Sequence, residues 1–153
     1  QFPVYAKLNT TDGITSPVQL SLEEAVYAAQ MLEAHGVDAI ETSGGTARES
    51  RLVMAKPAIL KPEQEAYFAP AARQIRAAVK IPLLLVGGMR SVAVMESLVE
   101  EGTADMVSLC RPFVREPALV NSLAAGQAKV TCVSCNVCFN PKGLRCSYSG
   151  PAL

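Results

Sequence analysis

Short apolar runs alternate along this chain with longer segments whose apolar residues recur at helical spacing. Leu83–Val86 is an uninterrupted apolar run followed by a turn and a helix start, and the same order is repeated from Met106 onward. Because apolar runs without polar alternation are typical of strands buried on both faces, the pattern predicts a parallel sheet. The expected strands lie near Val4–Leu8, Ala39–Thr42, Leu83–Val86 and Met106–Leu109.

Helix signals separate these runs. Ser21 and Glu24 form a capping box, and apolar residues then recur at helical spacing until Gly36. Pro70 lies inside the second helical segment and indicates an early break or a kink there. Ser91 is expected to cap the third helix. The expected helices run from Ser21 to Gly36, from Pro62 to Val79, from Ser91 to Gly102 and from Pro117 to Ala125.

A weak internal repeat supports four strand–helix units. Residues 33–40 and 100–107 both pass from a helix end through Gly and Asp into an apolar strand. Repeated units of this kind imply an α/β fold with a parallel sheet and right-handed crossovers, and four of them make half of a (β/α)8 barrel. An open flavodoxin-like sheet is the competing architecture. We expect the half barrel over residues 1–126 and a cysteine-rich tail over residues 127–153.

Composition narrows the function classes. The 153 residues carry 14 basic and 14 acidic side chains, interspersed along the chain, and only 5% are aromatic, which argues against nucleic acid as the main partner. The longest uncharged apolar stretch, Ile81–Val86, is too short to span a bilayer, and no signal-peptide pattern opens the chain. We therefore expect a cytoplasmic protein with no membrane partner.

The first residues favour a piece of a longer protein. Gln1 stands directly before a segment that already reads as a strand. Four strands taken from a barrel leave two open edges with unpaired backbone groups, so we expect such a piece to self-associate.

The segment 82–111 contains candidate phosphate-binding residues. Gly87 and Gly88 lack Cβ atoms where the third strand ends, so an anion could lie against backbone N–H groups there. Arg111 adds a guanidinium at the end of the next strand. In (β/α)8 barrels the loops after the last two strands commonly bind phosphate.

Four motifs in order resemble the old yellow enzyme family. Residues 3–9 read PVYAKLN, residues 40–45 read IETSGG, residues 86–90 read VGGMR and residues 110–114 read CRPFV. They are most similar to the NADH:flavin oxidoreductase branch that includes 2,4-dienoyl-CoA reductases. The resemblance spans nearly the whole chain but covers only the C-terminal half of the family's FMN-binding barrel, strands five to eight.

The resemblance implies a role for Lys7. It matches the basic residue at the end of strand five, which in the family approaches the N1/O2 edge of the flavin, where a reduced flavin carries negative charge. Without the resemblance, Lys7 would read as a surface lysine. Glu41 and Ser43, at the next strand end, could orient a ligand, but we expect structural roles for both.

The resemblance also assigns the phosphate site. Gly87, Gly88 and Met89 match the backbone donors for the FMN phosphate, and Cys110 and Arg111 match a Gly-Arg pair that closes the site. Cys110 departs from the family's glycine, which matters only if the backbone there needs a positive φ. Arg111 could instead be a salt-bridge partner at a helix start.

The implied activity is that of an FMN-dependent NAD(P)H:flavin oxidoreductase, in which hydride passes from NAD(P)H through the flavin to an activated alkene. The family's substrate-anchoring pair and its tyrosine proton donor have no match in this chain, so we assign no catalytic residue and expect the chain alone to be inactive. The alternatives are a phosphate-binding barrel without redox chemistry and a non-enzymatic metal-binding scaffold.

Four of the five cysteines are clustered near the C-terminus, as Cys132, Cys135, Cys138 and Cys146. The dienoyl-CoA reductase branch has a four-cysteine iron–sulfur motif after the barrel, but here one residue is missing before the third cysteine and the last gap is shorter. Thiolates suit a [4Fe–4S] cluster or tetrahedral zinc. Free thiols without a metal are the third possibility.

Overall fold

The computed structural model of the chain describes residues 2–46, 54–141 and 143–150. Strands and helices alternate through most of its length. Within the described part, none of the helices combines the length and apolarity needed to cross a membrane. The elements are β1 (Tyr5–Asn9), α1 (Leu22–Ala34), β2 (Ala39–Ser43), a 3-10 helix (Pro62–Gln64), α2 (Ala69–Ala78), β3 (Leu83–Val86), α3 (Val92–Glu100), β4 (Met106–Ser108), α4 (Arg111–Arg115) and α5 (Leu119–Ala124).

The four strands form one parallel sheet in the order β1-β2-β3-β4. Sequential order is what a (β/α)8 barrel requires, whereas a flavodoxin-like sheet places its first strand between the second and the third. The predicted half barrel of four βα units is therefore confirmed, and the competing architecture is wrong. All four predicted strands are present, each within a residue or so of its expected bounds.

The two faces of the sheet differ in burial. Ile40, Leu83 and Leu85 are completely buried in the main hydrophobic cluster, together with residues of α1, α2 and α3. Apart from the buried Ser43, residues of the opposite face, which would line the inside of a barrel, are half-buried or exposed. The row across that face consists of Lys7, Glu41, Leu84 and Met106. The helices thus cover the outer face of the sheet and leave the inner face accessible.

Two aspartates join neighbouring strands at the edge of the sheet where the strands begin. Asp38 precedes β2, and its carboxylate accepts a hydrogen bond from the backbone N–H of Val4 at 2.7 Å. Asp105 precedes β4 and accepts from the N–H of Leu83 at 2.8 Å. In both pairs the aspartate N–H also donates to the carbonyl of the same partner residue. The internal repeat seen in the sequence therefore corresponds to one repeated structural contact.

Two details of the predicted helices differ in the structure. The segment 62–79 is not one continuous helix, and the break that Pro70 indicated is present: a 3-10 turn is followed by α2, which begins at Ala69. Pro70 therefore lies in the first turn of α2, where a missing N–H costs nothing. Ser91 precedes α3 but makes no capping hydrogen bond with its side chain. Its hydroxyl donates instead to Glu65 Oε1 at 2.6 Å.

The last helices also differ from the prediction. The fourth predicted helix begins at Leu119 rather than near Pro117, and the short helix α4 precedes it. Five residues with a proline near the start give too little periodicity to be recognised in a sequence. This helix begins with Arg111, so it determines where the guanidinium is placed.

The segment after α5 packs against the barrel. The N–H of Val130 donates to the carbonyl of Arg90 at 2.9 Å, and Lys129 forms an isolated β-bridge with Ser91. Val130 and Cys132 are buried against Leu119 in a second hydrophobic cluster. The start of the tail is therefore held beside the loop that follows β3.

We expect Asp105→Ala to destabilise the fold. Its carboxylate also pairs with Arg76 Nη1 at 2.9 Å, and hydrogen bonds to charged groups contribute about 1.5–3 kcal/mol. Because the Asp105 side chain is 40% exposed, the free energy of unfolding should fall by about 1–2 kcal/mol, measured by urea denaturation. Glu101→Ala is the matched control, since its pair with Arg73 is exposed and 3.7 Å long. Equal effects of the two substitutions would contradict the assignment.

Candidate functional site

A pocket of about 210 Å³ lies where the strands end. Its lining comes from residues far apart in the sequence, since the carboxyl ends of parallel strands meet at one edge. Ligand pockets commonly measure about 300–1,000 Å³, so this volume suits one end of a cofactor. Five of the six predicted cofactor-binding residues line it, namely Lys7, Gly88, Met89, Cys110 and Arg111.

The sixth predicted residue, Gly87, directly precedes this lining and shapes it. The φ angles of Gly87 and Gly88 are +139° and +74°, in the region that favours glycine. A Cβ on Gly88 would lie 2.8 Å from Tyr67 Cε1. The Gly87 carbonyl accepts a hydrogen bond from the N–H of Tyr67 at 3.1 Å. Two glycines are therefore required where the chain leaves β3.

Backbone donors are available at this turn. Among the described residues, the N–H groups of Gly88 and Met89 have no hydrogen-bond acceptor. Both residues line the pocket. Unpaired N–H groups facing a pocket are the donors that an anion such as phosphate binds.

Glu65 fixes the end of the same turn. Its carboxylate accepts from the N–H groups of Arg90 and Ser91 at 2.7 and 2.8 Å and from the Ser91 hydroxyl. Arg90 is only 1% exposed and donates to the carbonyls of Ile59 and Val130. Burial lowers the pKa of Arg90 from its ordinary value. The roles of Glu65 and Arg90 could not be predicted from the sequence, because buried charged residues that contact distant backbone groups have no recognisable spacing.

Arg111 is held by uncharged acceptors. Its Nη1 donates to the carbonyl of Lys56 at 2.9 Å, to Asn136 Oδ1 at 2.6 Å and to the carbonyl of Ser134 at 3.5 Å. Within the described residues, Nη2 and Nε have no hydrogen-bond partner, and no carboxylate forms a salt bridge with Arg111. The described residues therefore give no support to the alternative role of Arg111 as a salt-bridge partner at a helix start. The side chain is 9% exposed, with its positive charge at the pocket.

Cys110 is compatible with the position where the family has glycine. Its φ is −121°, which any residue can adopt, so no glycine is needed there. The departure noted in the sequence does not disturb the backbone before Arg111.

Lys7 forms an ion pair on the inner face of the sheet. Its Nζ lies 2.8 Å from Glu41 Oε1, and the two side chains are 53% and 17% exposed. Glu41, for which we expected only a structural role, therefore holds the end of the Lys7 side chain. Exposed ion pairs are weak, so this ammonium can exchange its partner for a ligand anion at small cost.

In the described part of the chain, the cysteines of the tail are not arranged as a metal site. All five cysteines of the chain are free thiols; Cys132 and Cys138 are buried, whereas Cys135 is exposed. Burial raises the pKa of the Cys132 and Cys138 thiols. Among the described residues, which include all four tail cysteines, no group of three or more metal-ligating side chains is arranged to hold a metal ion.

Known proteins match this arrangement. The model of the NADH:flavin oxidoreductase / NADH oxidase family matches residues 8–129, which include the end of β1, the strands β2 to β4 and most of the residues that line the pocket. The chain belongs to this family. The resemblance read from the four sequence motifs is thereby confirmed.

Individual members of the NADH:flavin oxidoreductase family are similar over most of the chain. A 4,4'-dithiodibutanoate disulfide reductase of Rhodococcus erythropolis is 31% identical over 94% of the chain. The chain covers 42% of that protein, less than half its length. A solved 2-naphthoyl-CoA reductase in complex with 2-naphthoyl-CoA is 26% identical, with a TM-score of 0.65 over 82% of this chain and 19% of its own.

The fold likeness extends to an old yellow enzyme homologue. A structure of that homologue from Zymomonas mobilis has a TM-score of 0.55 and covers 92% of this chain and 36% of its own. At 19% identity this likeness concerns the fold alone. It agrees with the four parallel βα units seen here.

Alkylation rates should differ among the tail cysteines. In metal-free protein, Cys135 should react with iodoacetamide faster than Cys132 and Cys138, because burial limits access and a raised pKa leaves less thiolate at a given pH. Peptide mass mapping of a time course at fixed pH measures the three rates. Equal rates would contradict the burial of Cys132 and Cys138.

Proposed function

We propose that this chain provides the FMN-phosphate half of an FMN-dependent oxidoreductase. The enzyme would take hydride from NAD(P)H and reduce an activated alkene or a related electrophile. One observation supports the proposal: the pocket at the ends of β3 and β4 has two backbone N–H groups and a guanidinium for which the described residues provide no acceptor and no carboxylate, respectively. When bound, FMN would supply the flavin ring that accepts hydride.

The residues fit the phosphate end of FMN. Gly87 allows the turn, Gly88 and Met89 offer backbone donors, and Arg111 supplies charge-assisted donors from its free side. Cys110 lies at the rim of the same pocket. A phosphate dianion is favoured here because the donors are fixed before it binds.

Lys7 fits the requirement at the other end of FMN, where a cation is needed near the flavin ring. A positive charge beside the N1/O2 edge favours the reduced, anionic flavin. The pair with Glu41 holds the ammonium on the inner face of the sheet without burying it. We therefore assign Lys7 to flavin binding and Glu41 to the placement of Lys7.

Substrate chemistry would come from residues outside this set. We assign no residue of the chain to a substrate-anchoring pair or to a proton donor, so we propose that the chain alone does not turn over. The R. erythropolis relative is named for the reduction of a disulfide, and a disulfide belongs to the class of electrophiles that a reduced flavin can reduce. We propose a small-molecule substrate and a cytoplasmic location.

We do not assign a metal to the cysteine-rich tail. Its thiols have the softness that zinc and iron–sulfur clusters need. However, the described residues do not bring three of them into one ligand set, so no electron transfer through the tail is part of the proposal.

The non-redox alternative binds a sugar phosphate with the same donors. FMN and a sugar phosphate both have a phosphate group, but only FMN has a flavin ring, which absorbs visible light. Flavin absorbance that co-purifies with the complete polypeptide would favour the oxidoreductase.

We expect the 153-residue chain on its own to self-associate. Within the described residues β1 and β4 each pair on one side only, and the side chains of Tyr5 and Met106 are 65% and 48% exposed. Apolar surface left in water costs about 25 cal/mol per Å², which a second copy would remove. Sedimentation velocity at micromolar concentration should give a dimer or larger species, and Tyr5→Lys should weaken it. A monodisperse monomer would refute this expectation.

Arg111→Ala tests the phosphate assignment in the complete polypeptide that carries this chain. FMN binding should weaken by about 1.5–3 kcal/mol, the range for charged hydrogen bonds, while riboflavin binding should change little because riboflavin has no phosphate. Calorimetric titration measures both affinities. Arg73→Ala, an exposed arginine on α2, is the control and should leave both unchanged. If the Arg111→Ala variant binds FMN as tightly as the wild type, the assignment of Arg111 to phosphate binding is wrong.

A further inference from the structure

The cysteine-rich tail folds back against the proposed phosphate site. Ser134 is 3% exposed and lines the pocket. Its carbonyl accepts hydrogen bonds from the N–H of Ala58 at 3.1 Å and from Arg111 Nη1 at 3.5 Å. Ser134 and Asn136 have φ angles of +54° and +63°, so the tail makes an unusual turn at the point where it meets Arg111.

The amide of Asn136 bridges two parts of the structure. Its Oδ1 accepts from Arg111 Nη1 at 2.6 Å, and its Nδ2 donates to the carbonyl of Ala55 at 2.7 Å. Both partners have a fixed polarity, because a guanidinium only donates and a carbonyl only accepts. The amide satisfies both, because it has an acceptor oxygen and a donor nitrogen.

A neutral acceptor has a specific advantage beside Arg111. An unrestrained arginine loses considerable rotamer freedom when it binds an anion, and a hydrogen bond to Nη1 removes much of that loss beforehand. A carboxylate would restrain the side chain equally well, but its charge would cancel the attraction for phosphate. The amide restrains Arg111 and leaves its charge and its Nη2 and Nε donors to the pocket.

We propose that Asn136 is a positioning residue that holds the Arg111 guanidinium for phosphate recognition, so that the tail contributes to the preference for FMN over riboflavin. This inference rests on the proposed function, since it requires the phosphate to bind at Arg111. The tail thereby contributes to the flavin site through Asn136, independently of its cysteines.

The test is the ratio of FMN affinity to riboflavin affinity in the complete polypeptide. Asn136→Gly removes the amide and tolerates the positive φ at this position, and the ratio should fall about tenfold, as expected for one charge-assisted hydrogen bond. Asn136→Asp keeps the shape and tolerates the same φ, yet its carboxylate would pair with Arg111, so the ratio should fall further. Asn121→Gly, at an exposed position of α5, is the control for the fold and should leave the ratio unchanged.

A double-mutant cycle separates this inference from the proposed function. In an Arg111→Ala background, Asn136→Gly should have no further effect on the ratio, because the amide acts through the guanidinium. If Arg111→Ala lowers the ratio but both Asn136 variants keep the wild-type value, the positioning role is wrong and the phosphate site stands. Equal loss of FMN and riboflavin affinity in both variants would also overturn it, since that marks a merely structural contact. If Arg111→Ala leaves the ratio unchanged, the phosphate site and the inference both fail.

Discussion

The parallel ladder of the four strands is the constraint on which the site depends. Because β1 to β4 pair in sequential order and run the same way, their carboxyl ends meet at one edge of the sheet. Lys7, Gly88 and Arg111 therefore line one pocket although they are separated by tens of residues in the sequence. At the opposite edge, Asp38 and Asp105 fix the strand starts with the same pair of hydrogen bonds. The aspartate contacts at one edge and the site at the other both follow from the register in which the four strands pair.

Charge is distributed unevenly over the pocket. Lys7 is paired with Glu41, whereas the described partners of Arg111 are two carbonyls and an amide oxygen. An anion gains most where a cation has no counter-charge and the donors are already fixed. This difference supports the proposal that the phosphate binds at Arg111 and that the flavin ring lies near Lys7. The same argument explains why an amide, and not a carboxylate, contacts Arg111 from the tail.

Much of this arrangement could be predicted from the sequence. Apolar runs identified the strands, and the glycine pair and Arg111 marked the pocket, since local patterns report strand ends and turns. Glu65 and Asn136 could not be found, because their roles depend on contacts between segments 25 or more residues apart. Pro70 indicated an early break or a kink, and the structure has the break, since the long helical pattern consists of two elements. The close spacing of the four cysteines did not produce a ligand set in the described residues.

A crystal structure of the complete polypeptide grown with FMN tests the central claim most directly. The account predicts that the phosphate lies against the N–H groups of Gly88 and Met89, with Nη2 or Nε of Arg111 at about 2.7–2.9 Å from a phosphate oxygen. It also predicts that Nη1 of Arg111 keeps its bond to Asn136. FMN phosphate bound elsewhere, with Arg111 holding only its present protein partners, would contradict the account.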